Sequence, residues 1–209
     1  MSTRLGRRRL LLSAAPLLAL AACGGLIQPS EPPAAIYILS PDLPDTGNPV
    51  RSPFQLAVAL PHCSASLASA RIALSRNAMF DYYADAQWTD TTPRLLQDLL
   101  VRALERGGAL GAVARDSEGV HSDYVLESTI EAFEAHYEHG DSGAPTIAAG
   151  LTVRLVSVAR GEIIGAHTFY AQAAAAANSI PAAVQAFNTA LSQLLPQIAR
   201  WSLATLPPK

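Results

Sequence analysis

Two groups of side chains in this 209-residue chain have the types and spacing for chemistry. The first is the thiol of Cys23, which closes the run Leu20-Ala21-Ala22-Cys23. A Leu and two small residues before a cysteine fit the box at which a diacylglyceryl thioether is added and the preceding peptide is cut away. The second group is Glu134, His136, Glu138, His139 and Asp141. On an extended strand residues 134, 136 and 138 share a face, so two carboxylates and an imidazole could converge on a cation. The bland reading of this second group is a solvated strand edge running into a turn. Residues 116–141 hold eight acidic residues and no basic one (Asp116, Glu118, Asp123, Glu127, Glu131, Glu134, Glu138 and Asp141), which reads as an exposed acidic face or a docking surface for a basic partner.

The elements around Cys23 are those its chemistry needs. Arg4, Arg7, Arg8 and Arg9 give a basic start, with no acidic residue before Glu31. The run from Leu10 to Ala22 is apolar over 13 residues, the length of a signal-peptide core and short of the roughly 20 a spanning helix needs. Residues 1–22 therefore read as a lipoprotein signal peptide, with Cys23 as the lipidated N-terminus of the mature chain. A plain signal peptide with a chance cysteine, or an uncleaved anchor, is the alternative. The Arg7-Arg8-Arg9-Leu10-Leu11 run also resembles a twin-arginine export signal, so either route stays open. Gly24-Gly25, Pro29, Pro32 and Pro33 make residues 23–35 a linker, and a domain is expected over 36–206.

Composition limits what that domain does. The mature chain would carry 11 basic against 17 acidic residues, a net charge of −6. That balance speaks against nucleic acid and against electrostatic docking on anionic lipid. With Cys23 lipidated, Cys63 is left without a partner and reads as a small buried apolar residue. The sequence holds no G-x-S-x-G, Walker loop, G-x-G-x-x-G or C-x-x-C, so neither a cofactor nor a catalytic nucleophile is expected. Tyr82-Tyr83 and Trp88 could bind an apolar ligand, but aromatics just before a core helix more often pack.

Periodicity orders the rest. Ile36–Leu39 and Phe54–Leu60 read as strands, and 71–74 with 79–83 as a hairpin. Thr91 or Thr92 caps a helix whose apolar face is Leu96, Leu99, Leu100, Ala103 and Leu104, with Gly107-Gly108 ending it. Leu110–Val113 is a short strand. Tyr124–Tyr137 is a long one in which the apolar parity flips after Ala132. A period of two flips only if an extra residue is inserted, so a bulge is expected near Glu131–Phe133. Two further strands complete a meander. The alanine-rich stretch 171–178 reads as a connection to a last helix from Ile180 to Trp201, with a kink expected just before Pro196. The expected fold is α+β: a single domain with a mainly antiparallel sheet and two helices packed on one face.

The run Arg71-Ile72-Ala73-Leu74-Ser75-Arg76, the Tyr83, Trp88, Pro93 spacing, Pro93-Arg94-Leu95-Leu96, the early Tyr37-Ile38-Leu39 and the final helix with Trp201 together resemble the ABC-type transport auxiliary lipoprotein family, to which the paraquat-inducible lipoprotein belongs. The resemblance implies a non-enzymatic partner of an ABC permease and ATPase and of a mammalian-cell-entry (MCE) type substrate-binding protein, moving phospholipid or other apolar molecules between two membranes. It carries over one functional position, Cys23, bearing palmitate-type acyl chains. Gly24 after the cysteine, where an Asp would favour inner-membrane retention, points by resemblance to the periplasmic face of the outer membrane. A homo-oligomer would suit tubular MCE partners. Two other readings remain: a structural or assembly lipoprotein of the outer membrane, and a lipid-anchored metallohydrolase using His136 and His139.

Overall fold

The parity flip in the longest apolar-alternating segment is where the architecture turns. The computed structural model describes residues 33–44, 52–106, 110–138, 140 and 143–207. Residues 1–32, with the expected signal peptide and Cys23, lie outside the described residues, as do Gly107-Gly108, His139 and Asp141. From Pro33 to Lys209 the chain is one compact unit. Its elements are β1 (Ala35–Tyr37), β2 (Ser52–Val58), β3 (Arg71–Arg76), β4 (Met79–Trp88), α1 (Thr92–Arg106), β5 (Leu110–Arg115), β6 (Tyr124–Tyr137), β7 (Thr146–Ser157), β8 (Glu162–Ala174) and α2 (Ile180–Thr205).

β6 is the spine of the sheet. On one side β7 pairs antiparallel along its whole length, and β8 continues the meander. On the other side β6 is shared. β2 lies parallel to its first part (Leu56 opposite Tyr124) and β3 parallel to its last part (Leu74 opposite Ala135). A single bridge, His62 to Thr129, spans the interval between them. β5 extends the sheet beyond β2, and β4 then β1 extend it beyond β3. The long pairings, β6–β7, β7–β8 and the β3–β4 hairpin, are antiparallel, whereas the parallel ones are short. The sheet is thus mixed but mostly antiparallel, and the fold is α+β.

The register slips between Ile130 and Ala132, leaving Glu131 as the extra residue. Before the bulge Leu126 and Ile130 face the core; after it Phe133, Ala135 and Tyr137 do. α2 packs on β7 and β8, α1 on β5 and β2, and the helices touch each other. Each helix presents a continuous apolar stripe to the sheet, Leu96, Leu100 and Leu104 on α1 and Val184, Phe187, Leu191, Leu194 and Ile198 on α2, all buried. Ser179 caps α2, its side chain accepting from the Ala182 N–H, and Pro181 stands in the first turn where its missing N–H costs nothing. α2 continues through Pro196 to Thr205. β4 also runs on to Trp88, and β8 absorbs the first part of the alanine-rich stretch, to Ala174. β8 is an edge strand, where small side chains leave periodicity no signal.

The residues after β1 form a strap rather than a loop. Leu39 and Leu43 are buried, the Ser40 N–H donates to Asn188 Oδ1 (2.8 Å) and the Asp42 N–H to Ser192 Oγ (2.8 Å). Asn188 and Ser192 are four apart on α2 and so share a face.

Candidate functional site

The candidate cation cluster is divided among other partners where its residues can be placed. Glu134 and His136 do share the helix-free face of β6, but each turns to Ser75 on β3. Ser75 Oγ donates to Glu134 Oε1 (2.9 Å) and lies 3.0 Å from His136 Nδ1. The order is acid, serine, imidazole. Nucleophilic catalysis needs the imidazole between the other two, so this arrangement ties β3 to β6 rather than activating Ser75. Among the described residues no three His, Cys, Asp or Glu side chains are grouped to hold a metal ion.

The acidic stretch is divided in the same way. Asp123 accepts from the Gln55 N–H (2.8 Å) and so pins the start of β2. Asp116 accepts from Gln97 Nε2 (3.2 Å), and Glu118 with Asp98 holds Arg115, both at 2.8 Å. Glu127 and Glu131 stay exposed on the helix-free face, with Arg154 opposite Glu127. Three of these carboxylates therefore fix local structure, as Glu134 does through Ser75.

Cys63 is half-buried against the core, and burial pushes its thiol up, away from the thiolate a nucleophile needs. Trp88 is a packing residue: its ring meets Phe187 edge-on (5.2 Å, 88°) and lies 6.2 Å from Phe133.

The two tyrosines part company. Tyr82 donates to the Ser66 carbonyl (2.8 Å) and carries Arg71 flat over its ring at 3.8 Å. Tyr83 turns to the other face. Its hydroxyl is 2.9 Å from that of Tyr137, which donates onward to Asn178 Oδ1 (3.1 Å), so Tyr83 is the donor in the first contact. Burial, then this hydrogen bond, push the Tyr83 phenol far above its ordinary range and keep it neutral. These side chains line a cleft of about 450 Å³, with Arg71, Arg76, Asp81 and Asn178 around it. It lies beside a slip in the β3–β4 register between Arg71 and Ala73, where β4 has extra residues from Tyr83 to Ala86. The lining offers guanidinium, phenol and amide groups. It can hold a polar group, and it contains no nucleophile with a base beside it. Sequence reading picked out the tyrosines but not the cleft, because Tyr137 and Asn178 come from distant elements and carry no local signal.

A family model for the ABC-type transport auxiliary lipoprotein component matches residues 37–199, from the end of β1 into the last turns of α2. The chain belongs to this family. Among solved structures, protein XCC0632 from Xanthomonas campestris, of family DUF330, superposes with a TM-score of 0.74 at 29% identity, over 82% of this chain and 96% of that one. A second crystal structure, of an uncharacterized protein, shares the fold at a TM-score of 0.60 and 17% identity, over 81% of this chain and 99% of that one. No curated protein matches. The match covers the sheet from the last residue of β1 through β8, the whole of α1 and α2 as far as residue 199. Among the described residues no helix is long and apolar enough to cross a membrane.

Proposed function

We propose that this chain is a lipid-anchored, non-enzymatic auxiliary subunit of an ABC-type transporter, working with an MCE-type substrate-binding protein to move phospholipid or another apolar substrate between membranes. The observation that carries the reading is the family match over 37–199 behind a Leu-Ala-Ala-Cys box. Cys23 is the anchor. Each buried methylene contributes about 0.8 kcal/mol, so two or three acyl chains hold the protein on a bilayer where one would only dwell there reversibly. Because Ala35 is already in β1, the tether is Gly24–Ala34. At about 3.1 Å per residue when extended, it places the domain within about 34 Å of the membrane. Gly24 favours the periplasmic face of the outer membrane, where the domain would meet a transporter assembly reaching across the periplasm. A homo-oligomer would match a tubular partner.

The test is Cys23→Ser in the full chain, followed by fractionation and intact mass measurement. The wild type carries the acyl mass and sediments with membranes. The variant loses both while its circular dichroism stays unchanged, and transport stops. Transport that survives the loss of the anchor sinks the proposal. Disturbed outer-membrane protein levels with normal phospholipid traffic would favour the assembly-lipoprotein reading.

A further inference from the structure

The β3–β4 hairpin ends in an apolar tip that the core does not use. Asn77 and Ala78 form the turn, with φ of 47° and 61°. Met79 follows at 62% exposure and Phe80 at 41%, the Phe80 ring edge-on to Tyr82 at 5.5 Å. Exposure alone does not single out this end. Val158 (49%) and Ile163 (57%) are exposed at the opposite end of the sheet, beside the β7–β8 turn.

The direction of β1 separates the two ends. β1 is parallel to β4, with Ala35 opposite Ala86 and Tyr37 opposite Trp88. β4 runs away from the hairpin tip, so β1 does too, and Pro33-Ala34 lie on the tip side of β1. The chain therefore approaches β1 from the hairpin's side, although β1 itself pairs with Ala86–Trp88, seven to nine positions along β4 from Met79. Only nine residues, 24–32, separate Cys23 from Pro33, ten steps along the chain and a reach of about 36 Å at most.

We propose that the hairpin tip, Met79 and Phe80, rests in the interface of the bilayer that holds the anchor. This rests on the reading of Cys23 as lipidated. The occupant is an uncharged-to-zwitterionic phospholipid surface. Arg76 near the tip is paired with Asp81 (3.3 Å), which leaves little net charge to carry into the interface. Glu138 at the neighbouring end of β6 is exposed and would oppose an anionic surface. Apolar insertion, not charge attraction, is the driving term. Two points of attachment, acyl chains and hairpin, fix which end of the domain faces away: the end with the β7–β8 turn, leaving it free for a partner.

The experiment uses full-length lipidated protein in vesicles of phosphatidylethanolamine and phosphatidylcholine. On a Cys63→Ser background, Met79→Cys, Phe80→Cys and Val158→Cys are each labelled with an environment-sensitive fluorophore. Flotation reports the anchor; quenching by nitroxide-bearing lipid reports depth. The expected result is a blue shift and several-fold stronger quenching at 79 and 80 than at 158, unchanged by salt. Protein that floats but shows equal, weak quenching at all three positions overturns the hairpin contact and leaves the anchor standing. Stronger quenching at 158 overturns it too. Protein that does not float overturns both. Phe80→Cys serves where Met79→Cys disturbs folding, and binding that needs anionic lipid contradicts the stated occupant.

Discussion

Trp88 joins three parts of the fold, and its replacement by Phe is a sharp test of how. The indole is 2% exposed and sits between Phe133 of β6 and Phe187 of α2, whose own rings are 4.8 Å apart. Its Nε1–H has no hydrogen-bond partner among the described protein atoms. Trp88→Ala removes the whole ring and leaves a cavity, which costs about 3–5 kcal/mol. Trp88→Phe removes the equivalent of two or three methylenes, about 2 kcal/mol at about 0.8 kcal/mol each. It also removes a buried donor whose lost hydration costs about 1–3 kcal/mol. The two effects oppose each other, so Trp88→Phe is expected to change stability by no more than about 1 kcal/mol. Urea unfolding followed by circular dichroism, at unchanged slope, measures both variants. A Trp88→Phe loss as large as that of Trp88→Ala would refute the reasoning, because it would mean the N–H is satisfied in the folded state.

Other expectations follow from the same geometry. The Tyr83 phenol is held neutral in the folded domain, whereas in the unfolded chain it ionises near pH 10. Its raised folded value makes a contribution that is complete below that pH and is lost as pH rises above it. Unfolding free energies between pH 9 and 11 should therefore fall more steeply for the wild type than for Tyr83→Phe. At the hairpin, Ala78 holds a left-handed conformation that costs a residue with a Cβ about 1 kcal/mol, so Ala78→Gly should raise the midpoint of thermal unfolding. The same scan on Cys23→Ser should show an unchanged midpoint, since the anchor lies outside the folded unit that begins at Pro33.

Much of the domain was legible because its signals are local. The extra residue at Glu131 announced itself as a parity flip, since a strand exposes alternate residues to opposite faces. Inspection of β6 and β7 gives the reason: Ile130 pairs Leu151 and Ala132 pairs Gly150, so one residue on β6 has no counterpart. The α1 boundary at Thr92 was legible from the threonines placed for capping, and the α2 start at Ile180 from its apolar stripe. What was not legible depends on partners far apart in the chain. In the Leu39–Leu43 strap, Leu39 read as the end of a strand and the residues from Pro41 as loop, because prolines break regular structure; its bonds go to Asn188 and Ser192, about 150 positions away. The division of β6 between β2 and β3 also had no local mark, and parallel pairing at both ends made the sheet more mixed than the meander alone implied. Spacing correctly placed Glu134 and His136 on one face, but Ser75 arrives from another strand and takes both. Tyr82 and Tyr83 were visible as a pair, and their partners Ser66, Arg71 and Tyr137 were not, since these come from other parts of the chain.

The central claim is that this domain is the tethered auxiliary part of a transporter. The most direct measurement is affinity purification of the lipidated chain from detergent-solubilised membranes, with the recovered proteins and lipids identified by mass spectrometry. The account predicts an ABC ATPase, its permease and an MCE-type substrate-binding protein, recovered together and lost with Cys23→Ser. Folded, lipidated protein that brings down none of them would contradict it.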